Sequence, residues 1–466
     1  MNIEQIYTGC LAQGAYYIES NGEAAIIDPL REVMPYIEKA KNNNAKIKYI
    51  FETHFHADFV SGHLTLSEKT GAPIIYGPTA DPSFDVIIAT DGQSFQIGEL
   101  TIKVLHTPGH TMESTTYLLL DPNGKEHAIF SGDTLFLGDV GRPDLAQKAA
   151  HLTQEELAGT LYDSLRAKIM NLPDEVIVYP GHGAGSACGK NMMKETVDTL
   201  GNQKKMNYAL REDMTREEFI SEVTDGLLPP PAYFPMNVMM NKKGYKSIDE
   251  VLKTGMHALE PREFETVATE SSAVVLDVRS KNDFIEAHVP RSIFIGLDGS
   301  FAPWVGELIM NVEQEILLVV DEDRLEEAVT RLSRIGFDNV LGYLKGGISA
   351  WKEAGYESDK VNTVTAEELS KLGDAKIIDV RKESEFKSEH AIGAENLTLS
   401  SINNHLSEFK GQEDNYIHCK SGYRSLIAVS ILKSRGIHNV IDVAGGFNAM
   451  KETSLSFSDF VCPTTL

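Results

Sequence analysis

Short apolar runs alternate with glycine-rich turns through the first half of the chain, and β-branched and aromatic residues dominate those runs. The pattern predicts strands at Ala24–Pro29, Ile47–Thr53, Pro73–Gly77, Leu100–His106, Ser114–Leu120, His127–Ser131 and Val176–Tyr179. Between the last two the period changes. Leu157, Leu161, Leu165 and Ile169 fall four residues apart on one helical face, and Thr153 with Glu156 forms a capping box at its start. The stretch Leu227–Met236 carries four prolines, yet Tyr233, Phe234, Met236, Val238, Met239 and Met240 are too apolar for a solvated tether. It reads as an extended segment packed back on the first domain, with the boundary near Gly244–Gly255.

The second half repeats itself. Val275-Leu276-Asp277-Val278-Arg279 with Phe284 and His288 matches Ile377-Ile378-Asp379-Val380-Arg381 with Phe386 and His390. Arg334–Val340 then matches Ser434–Val440, and Lys345-Gly346-Gly347 matches Ala444-Gly445-Gly446. Each copy alternates strands and helices over about a hundred residues, enough for a small doubly wound α/β domain. One place differs. The second copy has His418-Cys419-Lys420-Ser421-Gly422-Tyr423-Arg424 where the first has Leu318-Val319-Val320-Asp321-Glu322-Asp323-Arg324, so the first copy has no nucleophile.

Length and charge bound the rest. A chain of 466 residues holds about two to four domains. No apolar run approaches the roughly 18 residues a membrane span needs, and the start Met1-Asn2-Ile3-Glu4-Gln5 has no signal-peptide pattern, so a cytoplasmic protein is expected. A net charge of −25 argues against nucleic acid or a membrane surface as partner. Cys10, Cys188, Cys419 and Cys462 show no disulfide or CxxC spacing. A homo-oligomer is expected.

Chemistry concentrates where strands end. Thr53-His54-Phe55-His56-Ala57-Asp58-Phe59 places three potential metal ligands within five positions, and Pro108-Gly109-His110, Gly132-Asp133-Thr134 and Pro180-Gly181-His182 follow other strands. Imidazole and carboxylate side chains gathered on one sheet rim suit zinc or iron. Cys419 ends a strand (Tyr416–His418) and precedes a helix over Ser425–Lys433, where unpaired N–H groups and Arg424 favour a thiolate. Arg142 and Asp144 read as an ion pair fixing a loop near the metal, and Cys188 as a structural thiol.

The spaced histidines and aspartates over residues 1–240 resemble the metallo-β-lactamase superfamily, which implies an αβ/βα sandwich with metal on one rim. The superfamily's motif continues with a histidine where this chain has Phe59, which favours one metal over two. Gly132–Leu145 and Pro231–Met236 resemble the persulfide dioxygenase branch. That resemblance implies one Fe(II) per chain held by His54, His110 and Asp133, with His56 and Asp58 behind them. The Cys419 copy resembles rhodaneses, and its Cys-x4-Arg loop is one residue shorter than the loop of cysteine phosphatases, which suits a terminal sulfur. Cys419 and Arg424 are then the sulfur-transfer residues.

The expected architecture is α/β throughout, with a metallo-β-lactamase sandwich (1–245) followed by a degenerate (256–357) and an active (360–466) rhodanese-like domain. The implied activity oxidises small-thiol persulfides (coenzyme A, bacillithiol, glutathione or cysteine type) with O2 to sulfite, then transfers sulfane sulfur through Cys419 to give thiosulfate. Two other readings stay open: a glyoxalase II-like thioester hydrolase with two zinc ions, and a non-catalytic sulfane-sulfur carrier or sensor.

Overall fold

The structure is a computed structural model that describes residues 1–147 and 151–462. The chain divides into two compact units, one built on Met1–Glu250 with Met310–Val312 and Leu332–Gly336, the other on the remainder from Val251.

The first unit holds two six-stranded sheets. One runs in chain order through β1 (Asn2–Thr8), β2 (Gln13–Ser20), β3 (Glu23–Ile27), β4 (Lys46–Phe51), β5 (Ile74–Tyr76) and β6 (Ile87–Ile88). The other comprises β7 (Ser94–Ile97), β8 (Leu100–His106), β9 (Thr115–Leu120), β10 (Glu126–Gly132), β11 (Ile177–Pro180) and β12 (Asp198–Thr199). Tyr16, Ile18, Phe51 and Ile75 of the first sheet meet Phe95, Ile102, Tyr117 and Phe130 of the second in one buried core. The outer faces are apolar too. Helix Gln154–Ser164 covers one through Leu157 and Leu161, and Tyr36 and Leu66 from helices Met34–Asn42 and His63–Thr70 cover the other. Strands covered on both faces read as continuous apolar runs, as β3 and β9 do here. The expected αβ/βα sandwich is the fold found.

The capping box of Thr153 and Glu156 is formed, and Leu165 and Ile169 are buried, but on a π-helical turn (Leu165–Ile169) that extends the helix. One expectation needs correcting. The apolar half of the proline-rich stretch is helical: Pro235 sits in the first turn of helix Phe234–Lys243, where its missing N–H costs nothing. Its buried residues are Phe234 and two carboxamides, Asn237 and Asn241, while Met236 and Met239 are exposed.

In the second unit each sequence copy has its own five-stranded parallel sheet. The first copy is ordered β13 (Ala258–Leu259), β17 (Val340–Leu344), β16 (Ile316–Val319), β14 (Val274–Asp277), β15 (Ile293–Phe294), and the second has the equivalent order β18 (Thr363–Thr365), β22 (Val440–Ala444), β21 (Asn415–His418), β19 (Lys376–Asp379), β20 (Glu395–Asn396); β15 is an edge strand of the first. The repeated motifs are structural clamps. Arg279 grips Asp277 and the Ala287 carbonyl, as Arg381 grips Asp379 and the Glu389 carbonyl. His288 stacks on Phe284 as His390 does on Phe386, with ring centroids 4.0 and 3.9 Å apart. Among the described residues no helix is long and apolar enough to cross a membrane.

Candidate active sites

Four segments at strand ends bring His54, His110, Asp133 and His182 together. Hydrogen bonds fix the tautomers. Thr53 Oγ1 donates to Asp28 Oδ2 (2.8 Å), so it accepts from His54 Nδ1 at 3.0 Å. His110 Nδ1 donates to the Arg142 carbonyl at 2.8 Å. In the neutral form of each ring Nε2 is then the free donor atom, and both Nε2 atoms face Asp133 Oδ2, at 3.8 Å from His54 and 3.5 Å from His110. Asp133 Oδ2 is buried and has no hydrogen-bond partner. Burial and the neighbouring His56 push the His54 pKa well down, so that ring stays neutral. Burial opposes ionisation of Asp133, but His182 outweighs it and holds the carboxyl below the usual carboxylate range.

Two lone pairs aimed at a bare carboxylate oxygen repel unless a cation lies between them. Asp133 Oδ2 lies 3.8 Å from His54 Nε2 and 3.5 Å from His110 Nε2, spans that one ion with bonds of about 2.0–2.2 Å can bridge. The donor set fits a metal. Two imidazoles and one carboxylate with open positions suit Fe(II), and the same donors accept zinc. Backbone close approach sets this geometry: a Cβ on Gly141 would lie 2.0 Å from the Asp133 carbonyl oxygen and 2.9 Å from His110 Nδ1.

His56 turns away from this cluster, its Nε2 lying 3.1 Å from Asp28 Oδ1 and 3.5 Å from Glu52 Oε2. Phe59 is fully buried with its ring 4.3 Å from that of His56. His182 bridges two carboxylates, Nδ1 to Asp133 Oδ1 and Nε2 to Asp58 Oδ2, both at 2.8 Å. Burial alone would deprotonate it, but Asp133 and Asp58 outweigh that and raise its pKa well above the ordinary value. An imidazolium thus occupies the hydrogen-bonding capacity that His182 and Asp58 would offer a second ion. Cys188 lies against this pair, and Asp58, His182 and Cys188 form another group of possible ligand atoms. Burial, then Asp58 and Asp133, push its thiol pKa well up, so it is no ready nucleophile. Asp28, Glu52 and His56 make the third such group among the described residues.

Arg142 forms a bidentate pair with Asp144, at 2.6 and 2.7 Å. It also donates to the Ala187 and Leu228 carbonyls, which locks the loop whose own carbonyl orients His110. Asn241 was not among the expected site residues. Its Nδ2 donates to the His56 and Phe59 carbonyls at 2.8 Å and its Oδ1 accepts from Ser61 N at 2.9 Å, which fastens the ligand loop to helix Phe234–Lys243.

The sulfur site follows β21 (Asn415–His418), with helix Tyr423–Ser434 beginning four residues beyond Cys419. Cys419 Sγ is buried and accepts from Gly422 N at 3.2 Å. Gly422 has φ +97°, and Gly446, φ +58°, lets its segment pass within 2.4 Å of the Cys419 carbonyl oxygen as measured from an added Cβ. Arg424 is not an unpaired charge. Glu385 holds it in a bidentate pair at 2.5 and 2.9 Å, so the guanidinium fixes the loop and adds little net positive field. In the first copy the equivalent loop presents Asp321, Glu322 and Asp323, and Arg324 pairs with Asp298 and Glu327.

The metallo-beta-lactamase superfamily matches residues 8–182, and the rhodanese-like domain matches residues 260–354 and 364–453. A solved structure of a metallo-beta-lactamase from Staphylococcus aureus subsp. aureus COL is 32% identical with a TM-score of 0.64, and the match covers 74% of this chain and 98% of that one. The mitochondrial persulfide dioxygenase ETHE1 of Homo sapiens is 29% identical, over 47% of this chain and 79% of that protein. The hydroxyacylglutathione hydrolase of Rhizobium etli is 39% identical, over 34% of this chain and 57% of that protein. The chain spans 60% of the length of a probable hydroxyacylglutathione hydrolase from Schizosaccharomyces pombe, and 57% of the Rhizobium enzyme. With 32% identity across 98% of the staphylococcal protein and two rhodanese-like matches behind the first domain, the chain belongs to the metallo-β-lactamase superfamily, as a metallo-β-lactamase domain followed by two rhodanese-like domains.

Proposed function

We propose that the chain is a persulfide dioxygenase joined to a thiosulfate-forming sulfurtransferase. The observation that carries the reading is the bare Asp133 Oδ2 faced by the Nε2 atoms of His54 and His110, beside a second position closed by the ion pairs of His182 and by Phe59. That arrangement supports one metal, the donor set of two imidazoles and one carboxylate supports iron as that metal, and the persulfide dioxygenase ETHE1 relative supports persulfide as substrate. Bound Fe(II) would supply the redox chemistry that joins O2 to sulfur. The chain's own residues hold the donors: Thr53 and the Arg142 carbonyl set the tautomers, and His182 keeps Asp133 ionised. The reaction balances as thiol persulfide plus O2 and water giving thiol, sulfite and two protons.

The second site consumes that sulfite. The Cys419 thiolate attacks the terminal sulfur of a second persulfide, and the carrier thiolate leaves. Sulfite then attacks the outer sulfur of the Cys419 persulfide; the S–S bond breaks, its electron pair returns to Sγ, and thiosulfate departs. Gly422 N–H is placed to stabilise sulfur anions there. Carriers of coenzyme A, bacillithiol, glutathione or cysteine type all fit this scheme. The test is Cys419→Ser, which should consume O2 with persulfide and accumulate sulfite; enzymatic thiosulfate from that variant sinks the coupling. The hydroxyacylglutathione hydrolase relatives favour a second reading, a thioester hydrolase with two zinc ions, which requires Asp58 and His182 to give up their ion pair.

A further inference from the structure

The Cys419 loop must accept a dianion, yet its own arginine is neutralised by Glu385. The missing charge comes from the copy that has lost its cysteine. Lys281 begins helix Lys281–Glu286 of that copy, and its Nζ donates to the Ser421 carbonyl at 3.5 Å, inside the Cys419 loop. A Cβ built on Gly422 would meet only Lys281 Nζ, at 3.7 Å, and Gly445 N, at 3.9 Å, within 4 Å. The ammonium therefore stands over the residue whose N–H reaches Cys419 Sγ. It is exposed and, among the described residues, has no carboxylate within ion-pair distance; Asp442, which feels its charge, is buried.

Other contacts hold the two copies in this register. Tyr423 Oη donates to the Gly296 carbonyl at 2.8 Å, and Ser430 Oγ accepts from Phe294 N on β15 at 2.9 Å. Of the nearby carboxylates, Glu385 is taken by Arg424 and Asp298 by Arg324. The repeat makes the substitution legible: the second copy has Glu383 at the position of Lys281, and the first copy has acids where the second has its loop.

We propose that Lys281 binds the anionic acceptor, so that the cysteine-lacking copy supplies one side of the sulfur-transfer site for a small sulfur oxyanion such as sulfite. The inference rests on the sulfurtransferase reading. An ammonium beside the loop raises the local concentration of the dianion and steadies it during its attack on the Cys419 persulfide. Arginine preserves the charge at this position, and glutamine removes it while keeping most of the stem.

The test uses the full chain, with sulfite varied against a fixed small-thiol persulfide and thiosulfate measured. Lys281→Gln should raise the KM for sulfite about tenfold, leave turnover at saturating sulfite within about twofold, and lose most of the salt dependence of KM. Lys281→Arg should stay close to the unsubstituted protein. An unchanged sulfite KM in Lys281→Gln overturns the proposal, as does an equal loss in Lys281→Arg, which would mark a purely structural contact. If the unsubstituted chain makes no thiosulfate from persulfide and sulfite, the sulfurtransferase reading fails first and the acceptor role falls with it.

Discussion

Asn241→Ala is expected to damage the metal centre from a position that contacts no proposed ligand. The carboxamide makes three buried hydrogen bonds, two to the carbonyls of His56 and Phe59 and one from Ser61 N. Alanine leaves two acceptors and one donor unpaired, and no other described residue bonds them. A buried polar group without a partner costs about 1–3 kcal/mol, so three such groups amount to about 3–5 kcal/mol after partial relaxation. That is a large share of the roughly 5–15 kcal/mol that stabilises a domain. These bonds hold the backbone at His56, Phe59 and Ser61, the segment that follows His54, so weaker iron retention should accompany the loss. Urea unfolding of the first unit gives the stability change, and iron content after dialysis gives the second readout. A change below about 1 kcal/mol with unaltered iron content would refute the clamp, because that is the scale of a single net hydrogen bond.

Two further outcomes are expected. Phe59→His should raise the metal content from one toward two ions per chain, measured by elemental analysis; if it stays at one, the His182 ion pairs rather than the missing ligand keep the site mononuclear. Burial raises the Asp442 pKa from 3.8 to about 6. The folded chain therefore holds that proton more tightly than the unfolded one, and the penalty is absent below about pH 4, grows as pH rises through about 6, and is complete above it. Asp442→Asn should stabilise the second unit by about 2–3 kcal/mol at pH 8 and little at pH 4, read from urea midpoints; equal gains at both pH values contradict the assignment.

The ligand-bearing turns were legible because strand ends on one rim converge whatever the loop details, and His54, His110 and Asp133 each follow a strongly apolar strand or hairpin. The repeat made both rhodanese-like folds legible. Strands β1 and β2 left little signal: β1 is half-exposed along its length, and β2 is buried on both faces without a periodic pattern. Asn241 was illegible because a carboxamide in a helix looks like any surface polar residue until its partners, some 180 residues away, are placed beside it. Glu385 was missed for the same reason, and with it the pairing of Arg424. Prolines suggested an extended stretch at 227–236 because the same residue type that interrupts a helix also begins one.

The central claim is one redox metal acting on persulfide. The direct measurement is metal content of the anaerobically purified chain together with O2 uptake on addition of a small-thiol persulfide. One iron per chain and one O2 consumed per sulfite equivalent formed, counting sulfite recovered as thiosulfate, is the predicted result. Two tightly held zinc ions and no O2 uptake would contradict it.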